Sequence, residues 1–535
     1  MQSPMSFRFP ARRSTAHVLE PAQRPTFRAA LLPALLPALL TGLAATGASA
    51  QGWAFVGARY QGMGGAGVAV VDDEHASYWN PGALAFTESY GVALPVGVSA
   101  AAEGSTLADI DRVSEYLDEI GGSALDDIID DLEAGNDLDP QQLAIALRLA
   151  AQELPALDDG DDAIVAGIDA SLLLRYRNFA LTGIGESRFA ADVFFDRANL
   201  AVSDLDGDQA IDTLVDPVTA MDRYAPGDEP ALVAQLEALF VGAGSGAPNL
   251  QAEELVWQAE QAGANVDDAR VASNIVAIAE ATIDPHATTF ADNRSGTFIR
   301  GVAIEQVGFG YGHPFLNKRV GLGGNVKYMM GTTFNKFLRY DDIDAVGDLT
   351  DALTDSDHRE ITHTGSLDLG LMVRPYEWLR AGVTARDVTR PEFDLARDPG
   401  SPSGKDSIRL DPRVRAGVAL WVLPSWVVAF DADLTKNESP IVDGLESRIV
   451  SLGTEWKIPV WKLGLALRGG AYLDTAAEDL ESIALTAGLG LRILDFNLDL
   501  AVGASPTTSK VSAVGDEKIP SRANASLTFA FRRSF

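Results

Sequence analysis

The sequence contains no cysteine among its 535 residues, so neither a disulfide bond nor a thiolate metal site can form. It also lacks a run of Lys and Arg. The 75 acidic residues outnumber the 42 basic ones, and the net charge is −33. A surface of this sign repels nucleic acid, so we expect no nucleic-acid partner. Beyond residue 50, no stretch reaches the roughly eighteen apolar residues that a membrane-spanning helix needs.

Histidine is scarce, and none of the histidines after residue 50 lies in a catalytic motif. They form neither a His-Glu-x-x-His pattern nor the context of a nucleophile elbow. We therefore expect no enzymatic activity and no organic cofactor. The histidines are His75, His286, His313, His358 and His363.

The first fifty residues have the composition of a secretory signal. A basic start with five arginines precedes an apolar run from Ala29 to Leu40, which two prolines interrupt. Ala48-Ser49-Ala50 then forms a small-residue cleavage site. We predict a signal peptide over residues 1–50 and a mature chain that begins at Gln51.

The mature chain is rich in short segments whose apolar residues recur with a period of two. Counting back from the terminal Phe535, Phe531, Phe529, Leu527 and Ala525 share one apolar face. A soluble sandwich would show the same alternation, with its polar face toward water. Fourteen such segments are predicted, near 90–100, 167–177, 179–195, 298–311, 319–331, 361–374, 378–388, 412–422, 425–435, 446–457, 461–473, 481–492, 495–505 and 523–535.

The lengths of the connections favour a membrane barrel over a soluble sheet. Connections after even-numbered strands are short and those after odd-numbered strands are longer almost throughout, which is the outer-membrane topology. Tryptophans stand beside the short turns, where an interfacial aromatic girdle belongs. They are Trp378, Trp426, Trp456 and Trp461, and the short turns are Asn178, Gly312–Lys318, Pro375–Glu377, Leu423–Pro424, Ile458–Val460 and Ile493–Leu494.

The sequence therefore predicts an all-β transmembrane barrel of about 14 antiparallel strands over residues 89–535. Phe535 would be the terminus of the closing strand. Both chain ends would be periplasmic, in the outer membrane of a Gram-negative-type bacterium. The expected partners are outer-membrane lipid and the barrel-assembly machinery.

Two long insertions, about 101–164 and 196–296, interrupt the strand pattern. Residues 101–164 and 228–283 carry Leu, Ile and Val at helical spacing among many acidic residues. Strand parity predicts that both insertions are extracellular and form amphipathic helical hairpins. Their apolar stripes would pack on each other, or would form a groove for a partner.

A glycine-rich motif follows the predicted cleavage site. Residues 57–70 read Gly-Ala-Arg-Tyr-Gln-Gly-Met-Gly-Gly-Ala-Gly-Val-Ala-Val, and residues 78–84 read Tyr-Trp-Asn-Pro-Gly-Ala-Leu. The order of glycines matches the dinucleotide-binding motif. That motif needs a strand before it and a helix after it, and the sequence predicts neither here, which disfavours a nucleotide site. The segment instead resembles the N-terminal region of FadL-like outer-membrane proteins, and residues 323–328 and 431–437 resemble their branch known as conjugal transfer protein TraF-like.

This resemblance implies that residues 51–88 fold inside the barrel as a plug, or hatch. The residues would suit such a place, because glycines allow close backbone packing and tight turns. A flexible periplasmic leader is the alternative. The plug positions are Gly62, Gly64, Gly65, Gly67, Asn80 and Pro81.

Charged residues of both signs fall on the predicted inner face of the strands. Opposite charges across a lumen can pair and seat a plug, or can line a polar path. The predicted lumen-lining residues are Asp368, Arg380, Arg386, Arg413, Arg415, Asp431, Asp433, Glu455, Arg468 and Asp499.

One acidic stretch resembles part of a calcium loop. Oxygen ligands at alternate positions can wrap a hard cation, although Gln209 stands where an EF-hand turn needs glycine. The sequence leaves two interpretations of this stretch, a Ca²⁺ site and a solvated acidic turn. The candidate ligands are Asp204, Asp206, Asp208 and Asp212.

Two functions remain from the sequence. The FadL resemblance implies transport of small hydrophobic compounds, such as fatty acids or hydrocarbons, across the outer membrane. The alternative is a non-transport component of an assembly, secretion or conjugal-transfer apparatus. Transport requires an apolar pocket or a gap in the wall, whereas docking requires a large exposed surface.

Overall fold

The computed structural model is a closed antiparallel β-barrel of fourteen strands. Each barrel strand pairs with the next one in the chain, and the last strand returns to pair with the first. The predicted fold class is confirmed. The structure describes residues 53–121, 124, 127–128, 130–131, 136, 138–158, 162–197, 199–201, 207–284, 293–339, 359–460, 463–476, 483–511 and 517–534. The predicted signal peptide lies outside these residues, as do Trp461 and Phe535.

The barrel strands occupy the fourteen predicted segments. They are β1 Ser89–Glu103, β2 Ala163–Tyr176, β3 Phe179–Phe194, β4 Gly296–Phe315, β5 Val320–Arg339, β6 Arg359–Tyr376, β7 Leu379–Arg386, β10 Arg413–Leu423, β11 Trp426–Asp433, β14 Ile449–Val460, β15 Leu463–Asp474, β16 Ala484–Ile493, β17 Phe496–Ala504 and β20 Arg522–Ser534. Three two-stranded sheets lie in the connections between them: β8 Glu392–Asp394 with β9 Ser407–Arg409, β12 Asn437–Glu438 with β13 Glu446–Ser447, and β18 Thr508–Val511 with β19 Glu517–Pro520.

The boundaries of the predicted segments need correction at β4 and β5. Each of these strands is 20 residues long, and their pairing runs from Gly296↔Arg339 to Phe315↔Val320. The predicted turn Gly312–Lys318 was therefore too long, since Gly312 to Phe315 belong to β4. Ile458 to Val460 likewise belong to β14 rather than to a turn. Cross-strand pairing carries these strands past the point where the apolar alternation ends.

The outer face of the wall is apolar along a band, as lipid requires. Val307, Phe309 and Tyr311 are exposed on alternate positions of β4, and Leu498 and Leu500 are exposed in the same way on β17. The residues between them face inward and are polar, small or buried. Trp378, Trp426 and Trp456 are exposed near the ends of their strands, beside the short turns.

Helices are found before β1 and in the two insertions. They are α1 Ala58–Gln61, α2 Ala76–Trp79, a 3₁₀ turn Pro81–Phe86, α3 Thr106–Ile120, α4 Pro140–Arg148, a π turn Leu149–Glu153, α5 Leu154–Ala156, α6 Gly207–Leu214, α7 Ala231–Ala243, α8 Pro248–Gln261 and α9 Ala269–Ile283. None of the helices in the described ranges is long and apolar enough to cross a membrane.

The insertion helices share an apolar core of their own. Leu236, Phe240, Leu255 and Ile275 are fully buried in it and come from α7, α8 and α9. The capping box at Asp139 begins α4, where the carboxylate accepts from the backbone N–H groups of Gln141 and Gln142. The insertions carry 36 Asp and Glu but only 6 Lys and Arg, so they hold most of the chain's negative charge.

At the end of the barrel where the insertions emerge, two long connections pack against the inner wall. Phe393, Leu395 and Ile408 of the β7–β10 connection and Ile441 of the β11–β14 connection are buried with Val302 of β4. These connections narrow the mouth with an apolar layer.

Candidate functional site

Residues 53–86, here called the N-terminal segment, form a buried unit that precedes β1. Gly64 and Gly65 have φ of +64° and +80°, which only glycine adopts without strain. Asn80 ends α2 and begins the 3₁₀ turn, where its side chain accepts a hydrogen bond from the Gly82 N–H and Pro81 takes the first position. A chain of two short helices linked by glycine turns can fill a narrow space that one long helix could not.

Aromatic side chains form the core of this segment. Trp53 stacks on Trp79 with ring centroids 6.2 Å apart, and Tyr60 lies 5.1 Å from Trp79. Tyr78 meets Trp79 edge-on at 5.8 Å, and its hydroxyl donates to the Ala54 carbonyl. Such ring pairs add about 0.5–1.5 kcal/mol each beyond the apolar area that they bury. The segment therefore holds its own shape.

The segment contacts strands on opposite sides of the ring through backbone-to-backbone approaches. A methyl group on Gly323 of β5 would lie 2.1 Å from the Pro81 carbonyl oxygen, and one on Gly453 of β14 would lie 2.2 Å from the Met63 carbonyl oxygen. A methyl group on Gly64 would lie 2.6 Å from the Ala471 carbonyl oxygen of β15. The segment therefore lies within the barrel and spans its interior, seated where the wall has no side chains.

The other plug positions share this crowding. A methyl group on Gly67 would lie 2.3 Å from the Trp79 ring, and one on Gly62 would lie 2.9 Å from Gly488 of β16. The Asn80 amide donates to the carbonyls of Val68 and Leu371, so it ties two parts of the segment to β6.

Arg59 joins the segment to the wall through ion pairs. Its guanidinium donates to both oxygens of Glu455 on β14, at 2.9 and 2.8 Å, and to Asp72 at 2.6 Å. Arg468 also binds Glu455, at 2.8 Å, and reaches Asp499 at 2.7 Å, so the chain of charges extends to β17. Burial alone would raise the pKa of Asp72, but Arg59, Lys457 and Arg380 together hold that pKa well below its usual range.

Glu74 joins the segment to β20, the last strand of the barrel, and to β2, on the two sides of β1. Its fully buried carboxylate accepts from Arg532 of β20 at 3.0 and 2.8 Å and from Arg175 of β2 at 3.2 Å. Gly91 of β1 leaves room for it, since a methyl group there would lie 2.1 Å from the Glu74 carboxylate. One carboxylate thus bridges the seam at which the barrel closes.

Asp431 holds the glycine motif by its backbone. One carboxylate oxygen accepts from the N–H groups of both Gly67 and Val68, each at 2.8 Å. Arg415, also buried, lies 3.9 Å from Asp431 and 3.5 Å from Asp433 and donates to Ser451. Its guanidinium carbon is 5.8 Å from the rings of Trp53 and Phe55, so it lies beneath the aromatic core.

The remaining predicted lumen residues form a second group on the wall. Lys327 bridges Asp368 at 2.8 Å and Asp387 at 2.6 Å, and Arg413 also pairs with Asp387. Arg386 stacks on Tyr78 at 4.0 Å, which brings it to the segment, whereas Arg380 lies over Trp421, 4.1 Å away. The strand alternation places all ten predicted residues on the inward face. Asp431, Glu455, Arg386 and Arg415 contact the segment, and Asp368, Arg413 and Asp433 are paired within the wall.

The hydrogen-bond ladder between β1 and β2 is interrupted at two positions, although the two strands stay in register and the barrel stays closed. Pairing runs from Tyr90↔Tyr176 to Ala93↔Leu173, is missing at Leu94 and Pro95, and resumes at Val96↔Ala170 in the same register. Proline has no N–H to donate to a neighbouring strand. Ser171, the residue that would face Pro95, has a buried hydroxyl without a hydrogen-bond partner.

A small cavity lies along the same two strands. Its volume is about 40 Å³, and its lining includes Val98, Gly167 and Asp169 of the wall and Phe55 and Gln61 of the N-terminal segment. A second cavity of about 40 Å³ lies toward the mouth and shares Glu186 and Arg188 with the first. Each has room for one or two water molecules.

The sequence of this barrel matches a family model. The model, described as "F plasmid transfer operon, TraF, protein", covers residues 77–433, which is more than half of the chain. The chain belongs to this TraF family. The match includes the end of the N-terminal segment, both insertions and the strands through β11. No curated protein is significantly similar to the chain in sequence.

Solved structures similar to this TraF-family chain include two toluene transporters and a FadL homologue. The Pseudomonas putida toluene transporter TodX is 11% identical, with a TM-score of 0.36, and the match covers 91% of this chain and 97% of TodX. The Ralstonia pickettii toluene transporter TbuX is 10% identical, with a TM-score of 0.38 and coverage of 90% and 98%. A Pseudomonas aeruginosa FadL homologue is 10% identical, with a TM-score of 0.34 and coverage of 91% and 97%. The family model confirms the TraF-like part of the predicted resemblance.

Several contacts of this TraF-family site were not predicted from the sequence. Arg59, Glu74, Arg175 and Arg532 carry the ion pairs between segment and wall, yet none was among the predicted site residues. A signal was present, because Arg59 and the acidic Asp72-Asp73-Glu74 run are the charged residues of an otherwise apolar, glycine-rich stretch. Charges in such a stretch need partners once it is buried.

Two sites predicted from the sequence, the calcium loop and Phe535, lie largely outside the residues that the structure describes. Asp204 and Asp206 lie outside the described residues, as does the side chain of Asp208. Asp212 lies in α6 and accepts a hydrogen bond from Gln251 at 3.0 Å. The calcium loop stays a prediction, and so does the role of Phe535.

Proposed function

We propose that this protein is a non-enzymatic outer-membrane channel that passes small hydrophobic compounds through its wall. The N-terminal segment is its hatch, and the interruption between β1 and β2 is its exit toward lipid. The observation that carries the proposal is the missing pairing at Leu94 and Pro95. Pro95 withholds one hydrogen bond between two strands that stay in register, so the closed wall has a weak point there at which it could open.

The chemistry of the interior favours a lateral route. The lumen is crossed by buried ion pairs, so an apolar solute that moved along it would displace groups that need polar partners. The bilayer beside Leu94, Val96 and Leu172 offers apolar surroundings, since these three side chains are exposed on the outer face of β1 and β2. An apolar solute gains free energy by leaving the lumen there.

The hatch must shift for this passage. A cavity that holds benzene has a volume of about 150 Å³, whereas the cavity beside β1 and β2 has about 40 Å³. The Arg59 and Glu74 ion pairs that hold the segment can be replaced by contacts with water, which is consistent with a movable barrier. We assign the observed arrangement to the closed state.

The proposed orientation places the short turns and both chain ends in the periplasm. A tag inserted at Gly244, which follows α7, should then be labelled on intact cells, while a tag at Pro424 should not. Labelling at Pro424 without labelling at Gly244 would reverse the topology. Fractionation should recover the protein in the outer membrane.

The test of transport compares uptake of toluene, alkylbenzenes and a fatty acid in a deletion strain and in strains that express variants. Pro95→Val restores an N–H at similar volume, so it should close the break and lower uptake several-fold. Pro459→Val is the matched control, because Pro459 lies on β14 in a continuous ladder. Equal uptake by deletion and complemented strains across the panel would refute the transport role.

A docking role is the second candidate, and one observation favours it. The insertion helices have their own apolar core and carry most of the chain's negative charge, so they present a separate acidic surface. The family description, which refers to a transfer operon, is compatible with an assembly role. Replacing residues 207–283 by a short linker should abolish such a role and leave hydrocarbon uptake intact.

A further inference from the structure

We propose that the cavity between β1–β3 and the N-terminal segment binds a calcium ion through Asp169 and Glu186. This site is distinct from the acidic stretch at residues 204–212. It also stands independently of transport, because it rests on groups that need a cation whichever function the barrel has.

The two carboxylates are direct neighbours on adjacent strands. Asp169 of β2 and Glu186 of β3 are register partners, and both line the cavity. Asp169 lies against Gly97, where a methyl group would come within 2.4 Å of its carboxylate. Like charges directly opposite on a sheet destabilise each other, more so away from water. A shared proton or a bound cation would offset this repulsion.

The protein supplies only part of that offset. Asp169 Oδ2 and Glu186 Oε1 are fully buried and have no hydrogen-bond partner. Arg188 approaches Glu186, with a guanidinium nitrogen 3.7 Å from Glu186 Oε2, which leaves Oε1 unsatisfied. A buried polar atom without a partner costs about 1–3 kcal/mol, and more if it is charged. These two oxygens are the unpaired acceptors that a cation would take.

The cavity has the size and lining of a small cation site. Its volume of about 40 Å³ accommodates an ion and a water molecule, and Ser99 and Gln61 add neutral oxygen donors to its wall. No group of three or more His, Asp or Glu side chains that could hold a metal ion lies in the described part of the chain, so the site would rest on these two carboxylates. Arg188 also lines the cavity, 3.7 Å from Glu186 Oε2. The atoms that remain as ligands are oxygens, which select a hard cation, and Ca²⁺ tolerates irregular geometry better than Mg²⁺ does.

An ion at this position would link the segment to the wall. Phe55 and Gln61 belong to the segment, while Asp169 and Glu186 belong to β2 and β3. Glu186 also lines the second cavity, whose other walls include Lys436 of the β11–β14 connection, so the site is approached from the mouth. Calcium would then stabilise the seated segment.

The experiment uses the full-length protein in detergent, stripped with EDTA and titrated with CaCl₂ in a calorimeter. We expect binding at the cavity and a Ca²⁺-dependent rise of several degrees in the midpoint of heat-modified gel migration. Asp169→Asn with Glu186→Gln should weaken this binding at least tenfold. Glu186→Gln alone should weaken it less and serves as the variant that keeps one charge.

The matched control removes three of the four candidate ligands of the acidic stretch at residues 204–212. Asp204→Asn, Asp206→Asn and Asp208→Asn in one variant should leave the heat-modification shift unchanged. Loss of the shift in this control, or its persistence in the cavity variant, would overturn the proposal. So would a wild-type protein that binds no Ca²⁺ while the Asp169→Asn variant is more heat-stable, because the pair would then share a proton.

Discussion

Strand β1 is bonded differently along its two edges. Toward β20 it forms thirteen consecutive pairs, from Ser89↔Ser534 to Ala101↔Arg522. The N-terminal segment reinforces this edge from inside, since Glu74 binds Arg532, the Ala58 N–H donates to Thr528, and the Gln61 amide binds Asn524. Toward β2 the pairing is interrupted at Leu94 and Pro95, beside a cavity.

The two edges of β1 therefore have different roles: one edge closes the barrel, and the other is where the barrel could open. The seam is the joint at which the two ends of the chain must find each other, and it carries the extra contacts. The weaker edge is the opposite edge of β1, toward β2, and the long first insertion connects these two strands. A barrel can open locally at the second edge without losing its closure at the first.

Gly64→Val combined with Gly65→Val should have the largest effect, because it should remove the segment that reinforces one edge of β1. Both residues have positive φ, and a side chain on Gly64 would collide with the Ala471 backbone of β15. The segment should be displaced from the lumen, with a large increase in permeability to bulky antibiotics. Permeability and heat-modified migration would be measured together, so that a displaced segment is distinguished from a barrel that has not folded.

Ala83→Gly in the 3₁₀ turn is a mild control for the same segment. Unchanged permeability in the double valine variant, with the barrel folded, would show that the segment does not obstruct the lumen.

The next effect should come from Glu74→Ala. This change leaves Arg175 and Arg532 without the carboxylate that both of them bind, and breaking a buried pair in this way costs about 3–5 kcal/mol. The free energy of unfolding, from urea titration in detergent, should fall accordingly. Glu88→Ala removes an exposed pair with Lys318 and should have no measurable effect. Equal stability of the two variants would mean that Glu74 does not hold the seam.

Acid should loosen the segment by a smaller amount. The pKa of Asp72 is depressed in the folded state, so its contribution is fully present above its usual pKa of about 3.9 and is lost as the pH falls below that value. Conductance in planar bilayers should therefore rise below about pH 4. Asp72→Asn should raise the conductance at neutral pH and flatten this acid dependence. A conductance independent of pH between 7 and 3 would contradict the assignment.

The smallest effect on stability should come from Pro95→Val. A restored hydrogen bond contributes about 0.5–1.5 kcal/mol, so the free energy of unfolding should rise by roughly that amount. Hydrogen exchange at Ser171 and Leu173, whose N–H groups face β1, should slow, which would make the two edges of β1 more alike. Faster exchange at these positions would show that proline is not the cause of the interruption.

The wall could be predicted from the sequence because its rule is local. Lipid outside and a packed lumen inside impose a period of two, and Leu367, Leu369 and Leu371 show it without reference to any other strand. The ten inward charges followed from the same parity. The extra length of β4 and β5 did not, because there the partner strand, rather than the bilayer, determines where pairing stops.

The site was predictable only in part. The glycine motif indicated close packing, since positive φ and missing side chains are properties of single residues. The partners of Arg59 and Glu74 were not predictable, because Glu455 and Arg532 lie hundreds of positions away and many charges of the right sign were available. The missing pairing at Pro95 was not predictable either, since a proline in a strand does not show which neighbouring strand loses a hydrogen bond.

The sequence by itself determined a closed barrel of fourteen strands, an inward set of charges and a glycine-rich segment before the first strand. Periodicity and backbone stereochemistry act over a few residues, so the local sequence is enough to predict them. Only the tertiary structure decided which charges meet across the lumen, which edge of β1 is reinforced and where two buried carboxylates face each other without a partner. Those outcomes depend on barrel closure, which brings strands from the two ends of the chain within hydrogen-bonding distance.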